Sequence, residues 1–245
     1  MIEKTNLEEV KSVARMLLLT PVHKTPYSPV VVQHPFTSCG IATAKKDGIL
    51  QIIDITESEE NLKRWQEWMK EWIKNAESAY EIYMMTNKPY GLTFLKYAEP
   101  HLSKEDFSNI LGDAWVRSEN PHGDMNVTKN ELLLMFKKAD KKALMTEGDY
   151  KRWEGLEDTL TVYRGVTSYN ANNIKALSWT LDKKTAEWFA HRFGEEGTVY
   201  EAQIQKKDIY AYFSDRGESE VIVDPKGLMD ITETETMNQG MIQTQ

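Results

Sequence analysis

The stretch TLTVYRGV, residues 159–166, is where the chain changes character. Before it, apolar residues recur at helical spacing. From it onward they fall in short runs rich in β-branched and aromatic residues, the pattern of strands. ALSWTLD (176–182), GTVYEAQI (197–204), DIYAYF (208–213) and SEVIVDP (219–225) continue in this manner. Between the first two of these runs lies one amphipathic segment, KKTAEWFAHRFG (183–194), which reads as a helix ending at Gly194.

Upstream of residue 159 the pattern is mostly helical. EGDYKRWEGLED (147–158) is the last short helix. SKEDFSNILGDAWVRS (103–118) and TKNELLLMFKKADKKALM (128–145) open with capping-box patterns, Ser103…Asp106 and Thr128…Glu131. The polar turn ENPHGDMN (119–126) separates them, and NKPYG (87–91) breaks the pattern before them. From Glu57 to about Asn87 the spacing predicts one helix, with Trp65, Trp68 and Trp72 on a single face. That stripe is expected to face the core; its alternative is an aromatic binding surface. SPVVVQHPFTSCGIATAKKDGILQIIDIT (28–56) reads as two or three strands with a hairpin step at Asp47-Gly48. TNLEEVKSVARMLLL (5–19) reads as a helix capped by Thr5. The expected class is α+β: a mostly helical region with a short β segment at 1–155, a mixed or antiparallel β-sandwich at 156–234, and a loose tail at 235–245.

Composition narrows the function. A chain of 245 residues, 40% hydrophobic and 28% charged, is ordinary for a globular protein with a real core. No run of about 18 apolar residues occurs, so no membrane span is expected. The N-terminus MIEKTNLEEV carries acids and no apolar segment, so it does not read as a secretory signal, and a cytoplasmic site of synthesis is expected. The single cysteine, Cys39, rules out a disulfide framework, and the five histidines show no ligand spacing, so no metal is expected. The net charge is −8. Residues 157–245 hold 9 basic and 15 acidic residues, a net −6, so a broad nucleic-acid surface is not expected.

Three short motifs in the C-terminal half carry the chemistry. Tyr163-Arg164-Gly165 ends a buried-looking strand in a lone arginine, which calls for an anionic partner, either a structural carboxylate or a ligand. Ser178-Trp179-Thr180 puts two hydroxyls on one strand face. Glu218-Ser219-Glu220 opens the last apolar run, and in a strand residues i and i+2 point to the same side. Two carboxylates would then stand together, either as a solvated strand end or as a paired-carboxylate site.

Taken in order, an arginine, a Ser-x-Thr, a helix and an E-x-E, residues 155–232 resemble the mono-ADP-ribosyltransferases of the arginine–serine–glutamate class. That class includes clostridial actin-modifying toxins and phage-encoded transferases. The departure is the middle motif, usually Ser-Thr-Ser and here Ser178-Trp179-Thr180. The resemblance implies NAD as the substrate and a bacterial or phage effector or toxin that modifies host proteins. Arg164 would hold a phosphate, and Gly165 would approach the nicotinamide amide. Ser178, with Thr180 beside it, would bind near the nicotinamide ribose and orient the catalytic carboxylate. Glu220 would hold the ribose 2′-hydroxyl and stabilise the oxocarbenium-like sugar, and Glu218 would receive the acceptor. A glutamate at position 218 implies an arginine acceptor. Phe189 and Arg192 match a phenylalanine and an arginine that contact nicotinamide and phosphate in the toxins; core packing and a helix terminus are the alternatives. Tyr212 and Phe213, in the loop YFSDRG, are candidate contacts to the acceptor protein or strand-end packing residues. The resemblance also allows an inhibitor or immunity partner and delivery into another cell. The alternatives to the transferase are an NAD glycohydrolase with water as acceptor and a non-catalytic binding module.

Overall fold

The computed structural model describes residues 2–46, 49–119, 123–194 and 196–234. The chain divides into two compact units, 1–132 and 133–245, so that residues 133–155 go with the β-rich part. The class is α+β, with antiparallel pairing throughout the described sheets.

In the first unit, helix α1 (Leu7–Leu18) packs against α2 (Glu59–Asn75), α3 (Ala79–Met84) and α4 (Gly91–Ala98), and α4 packs against α5 (Lys104–Arg117). Val10, Ala14 and Leu18 of α1, Phe94 and Leu95 of α4 and Phe107, Ile110 and Leu111 of α5 are fully enclosed. The cap of α1 is Asn6, whose side chain accepts from the Glu9 amide. Thr5 instead bonds Asp106 and accepts the Ser103 amide at 2.8 Å, tying α1 to the start of α5. The long helix expected over 57–87 is two: Asn75 ends α2, and Ser78 caps α3 by accepting the Glu81 amide. The buried stripe of α2 is Trp65, Met69 and Ile73, at i, i+4 and i+8, while Trp72 is 48% exposed. Trp72, at i+7, lies on the side of Trp65 away from Met69 and Ile73, at the margin of the buried face, and the i+4 residues are smaller and escape a tryptophan count.

The segment 23–56 gives five short strands: β1 (His23–Thr25), β2 (Ser28–His34) and β3 (Thr37–Cys39) in one sheet, and β4 (Ile41–Lys46) with β5 (Ile49–Asp54) in another. The Asp47-Gly48 step lies outside the described residues, as do Asn120, Pro121 and His122 of the polar turn and the tail 235–245. The Thr128…Glu131 capping box forms in full; at Ser103…Asp106 only the serine half does, because the Ser103 amide donates to Thr5 instead. Ser103 accepts the Asp106 amide at 3.1 Å, and Thr128 and Glu131 exchange bonds through side chain and backbone. No helix among the described residues is long and apolar enough to cross a membrane.

The second unit starts within α6 (Lys129–Lys138) and is built on one sheet. Its strands are β6 (Thr159–Val166), β7 (Ser178–Thr180), β8 (Thr198–Gln205), β9 (Ile209–Phe213), β10 (Glu220–Val223) and β11 (Met229–Thr234), in the order β11-β8-β6-β7-β10-β9. β6 pairs with β8 along its whole length but meets β7 at one register pair, Tyr163↔Thr180. Helix α9 (Lys183–Ala190) lies on β6, and Ala186 and Ala190 form a small core with Val199 and Tyr163. It stops at Ala190 rather than Gly194, with His191 at its C-cap; Phe193 (φ 65°) and Gly194 (φ 75°) beyond the cap are both left-handed.

Among the described residues, the outer edge of β9 is covered by side chains, not by a further strand. α7 (Lys141–Leu144) and α8 (Glu147–Glu154) lie beside it. Trp153 Nε1 donates to the Ile209 carbonyl at 3.1 Å and Lys141 Nζ to the Tyr210 carbonyl at 3.3 Å. The Tyr212 amide donates to Met145 Sδ at 3.2 Å. An unpaired strand edge is a template for association, and this one is closed at each of these groups. Lys141 lies 4.5 Å from the Trp153 ring centroid, and burial lowers its pKa.

Two expectations follow. A Cβ at position 165 would collide with the Ala186 carbonyl oxygen and stand 2.6 Å from the Ala190 amide. Gly165→Ala should therefore push α9 off the sheet and cost about 2 kcal/mol or more, read from the denaturant midpoint. In the first unit His34 is fully buried against Trp65, ring centroids 5.0 Å apart. Burial lowers its pKa from 6.5 to about 4, against the opposing pull of the Leu18 and Thr20 carbonyls. Between those values the unfolded chain takes up a proton that the folded chain excludes, so stability falls as pH falls. The loss amounts to about 3 kcal/mol across the window. Unfolding followed by tryptophan emission at pH 6.5 and pH 4 should show this loss in the parent and much less of it in His34→Asn.

Candidate active site

The register of β7 against β10 is Glu220↔Thr180, Val221↔Trp179 and Ile222↔Ser178. Paired residues share a face and successive residues alternate. Thr180, Ser178 and Glu220 therefore stand on one side of the sheet, and Trp179 and Val221, both buried, on the other. Ser178 and Glu220 are diagonal neighbours, within reach of each other. The Ser178 hydroxyl donates a short hydrogen bond to Glu220 Oε1.

Arg164 joins this pair from β6. Its Nη1 donates to the Ser178 carbonyl at 2.6 Å, and its Nε is buried with no hydrogen-bond partner among the described residues. Burial lowers the guanidinium pKa to about 10, and the negative charge of Glu220 acts in the opposite sense. The structure thus brings the arginine, the serine and the second glutamate together. A cation, a hydroxyl and a carboxylate converge there, the carboxylate oriented by the hydroxyl and balanced by the cation.

Glu218 is placed differently from the expectation. Strand β10 begins at Glu220, and Glu218 belongs to the turn before it. The i, i+2 alternation does not apply, because the backbone passes through left-handed conformations at Arg216 (φ 60°), Gly217 (φ 70°) and Ser219 (φ 45°). Two of these are not glycine, and each such residue costs on the order of 1 kcal/mol. Several bonds hold the turn. Thr180 Oγ1 donates to the Glu218 carbonyl at 2.6 Å, and the Leu181 amide donates to the Ser219 carbonyl at 3.0 Å. The Gly217 amide donates to the Ser214 carbonyl at 3.0 Å. Tyr212 Oη donates to Ser219 Oγ at 3.4 Å. Burial raises the Glu218 pKa, and the charges of Arg216 and Arg192 oppose that rise.

The remaining expected residues divide. Thr180 serves the turn through its bond to Glu218 and caps the next one by accepting the Asp182 amide at 3.0 Å. At Gly165 the missing Cβ makes room for the backbone of α9, a packing reason for glycine at the position assigned to nicotinamide. Phe189 is half-buried on α9, its ring edge-on to Trp188 with centroids 4.9 Å apart. Arg192 is exposed, its guanidinium 5.4 Å from the Trp188 ring centroid and 4.7 Å from that of Phe193. Tyr212 and Phe213 are buried in β9, 7% and 3% exposed, so they pack the sheet rather than present their rings to an acceptor. Sequence reasoning missed Asp149, whose Oδ1 accepts the Ser214 amide at 3.1 Å at the entrance to the turn. Its signal was present as Thr146-x-x-Asp149, the same capping spacing noted for two other helices.

No protein family, curated protein or solved structure matches this chain. The site therefore stands on its geometry. With the Glu218 side chain labelled with carbon-13, its carboxyl should titrate above the ordinary glutamate value in the parent. It should move further up in Arg216→Gln and Arg192→Gln, because each removes a charge that favours the ionised form.

Proposed function

We propose that residues 156–234 form the catalytic core of an NAD-dependent mono-ADP-ribosyltransferase. The observation that carries the reading is the meeting of Arg164, Ser178 and Glu220, from three separate motifs, through the Ser178 hydroxyl and carbonyl. The arrangement suits NAD in charge and chemistry. The guanidinium has the charge and planar donor geometry that suit a phosphate oxygen, and its enclosed Nε has no hydrogen-bond partner among the described residues. In the reaction the bond between nicotinamide and ribose C1′ breaks, and its electron pair leaves with nicotinamide. The sugar becomes oxocarbenium-like, and a carboxylate beside the 2′-hydroxyl stabilises that charge as it develops. Glu220, oriented by Ser178, takes this part. An acceptor guanidinium nitrogen then bonds to C1′ and gives up its proton, which Glu218 receives; the products are nicotinamide, the ADP-ribosylated acceptor and a proton.

The β-sandwich belongs to the same proposal. A single register pair joins β6 to β7, so the six strands can divide there into two halves, β11-β8-β6 and β7-β10-β9. One observation favours a second reading, an NAD glycohydrolase. The charges of Arg192 and Arg216 act on Glu218 and would repel an incoming guanidinium, whereas water carries no charge.

Incubation with NAD, with and without agmatine as a soluble guanidinium acceptor, tests both. Glu220→Gln should lower nicotinamide release by about a hundredfold or more while leaving the fold intact. Glu218→Gln should lower transfer to agmatine by about a hundredfold and nicotinamide release far less. Undiminished release in Glu220→Gln removes the assignment. Release by the parent that never labels agmatine favours water as the acceptor.

A further inference from the structure

Asp149 is 3% exposed, and a buried acid is costly unless its lone pairs are used. Thr146, the cap of α8, accounts for one oxygen. It accepts the Asp149 amide at 3.1 Å and donates its hydroxyl to Asp149 Oδ2 at 2.8 Å. The other oxygen, Oδ1, accepts the Ser214 amide at 3.1 Å. Ser214 is the first residue after β9 and the entrance to the turn that carries Glu218. A solvent-facing helix cap does not need to bury its acid. This one reaches across to the backbone of a segment 65 residues later.

The turn needs such a hold. Arg216 and Ser219 sit in left-handed conformations that their side chains disfavour, on either side of Glu218. The exit is fixed by Thr180 and Leu181, and the entrance by Asp149. Glu220 lies beyond the turn and is held by the registers of β10 on β7 and on β9 and by the Ser178 hydroxyl. The two glutamates are thus secured by different devices.

We propose that Asp149 is a positioning residue for Glu218: it fixes the Ser214 backbone and through it the strained turn, leaving Glu220 to the sheet. The inference rests on the reading of Glu218 as the group that receives the acceptor. Losing Asp149 then uncouples transfer from nicotinamide loss. Asp149→Asn keeps a carbonyl oxygen for the Ser214 amide and restores the coupling.

The test uses the full chain, NAD and agmatine, with hydrogen exchange as a second readout that needs no activity. In Asp149→Ala the Ser214 amide should exchange about tenfold or more faster, while Val221–Val223 stay unchanged. Agmatine labelling should fall about tenfold, with nicotinamide release within about threefold of the parent. Asp149→Asn should lie near the parent in all three. If Asp149→Ala does not fold, Ser214→Pro, which deletes the donor and leaves Asp149 in place, should give the same uncoupling. Unchanged Ser214 exchange, or equal losses of labelling and release, overturns the proposal. A parent that releases no nicotinamide overturns the transferase reading instead, and the exchange measurement still decides the role of Asp149.

Discussion

The antiparallel register of β7 on β10 is the constraint on which the site depends. It sets Glu220 opposite Thr180 and Ser178 one diagonal away, so that a hydroxyl and a carboxylate meet without any loop having to be ordered. A slip of one residue would turn Glu220 to the other face, where buried Trp179 and Val221 lie, and break the pair. Val221, Ile222 and Val223, all fully buried, make such a slip expensive. The apolar run that anchors the strand therefore also fixes the position of the acid at its end.

Around this fixed point the second unit places groups that differ in enclosure and in how they are bonded. Arg164 is enclosed and bonded to the backbone of β7. Glu218 rides on a strained turn held at both ends. Arg192 lies at the surface close to the Trp188 and Phe193 rings, near enough for its charge to act on Glu218. Under the proposed transferase reading, the gradation suits a reaction in which the sugar end is held still and the acceptor end accommodates an incoming molecule. The helices before residue 156 enter this scheme directly: α7 and α8 close the edge of β9, and α8 holds the turn through Asp149.

Much of this was legible in the sequence, and the failures have physical causes. The strands β6 to β10 follow from β-branched and aromatic runs, and the serine and second glutamate from their places at strand ends. β11 was missed because MDITET lacks a continuous apolar run and is mostly exposed. The pairing of Glu218 with Glu220 on one face was wrong, because alternation holds only inside a strand and nothing in Arg216-Gly217-Glu218-Ser219 announces left-handed backbone at two non-glycine residues. α4 was missed because Asn87-Lys88-Pro89-Tyr90-Gly91 reads as a breaker, whereas the proline sits in a short 3₁₀ turn that leads straight into the helix. Asp149 escaped because its decisive bond is long-range, and sequence spacing shows only its local cap.

The central claim is that the enclosed Arg164, next to the Ser178–Glu220 pair, is a seat for a phosphate of NAD. The most direct measurement is calorimetric titration of NAD into the Glu220→Gln chain, in which turnover is suppressed, and into the same chain carrying Arg164→Ala as well. The account predicts one binding site in the first protein and an affinity about tenfold or more weaker in the second. Absence of binding in the first, or equal affinities in the two, would contradict it.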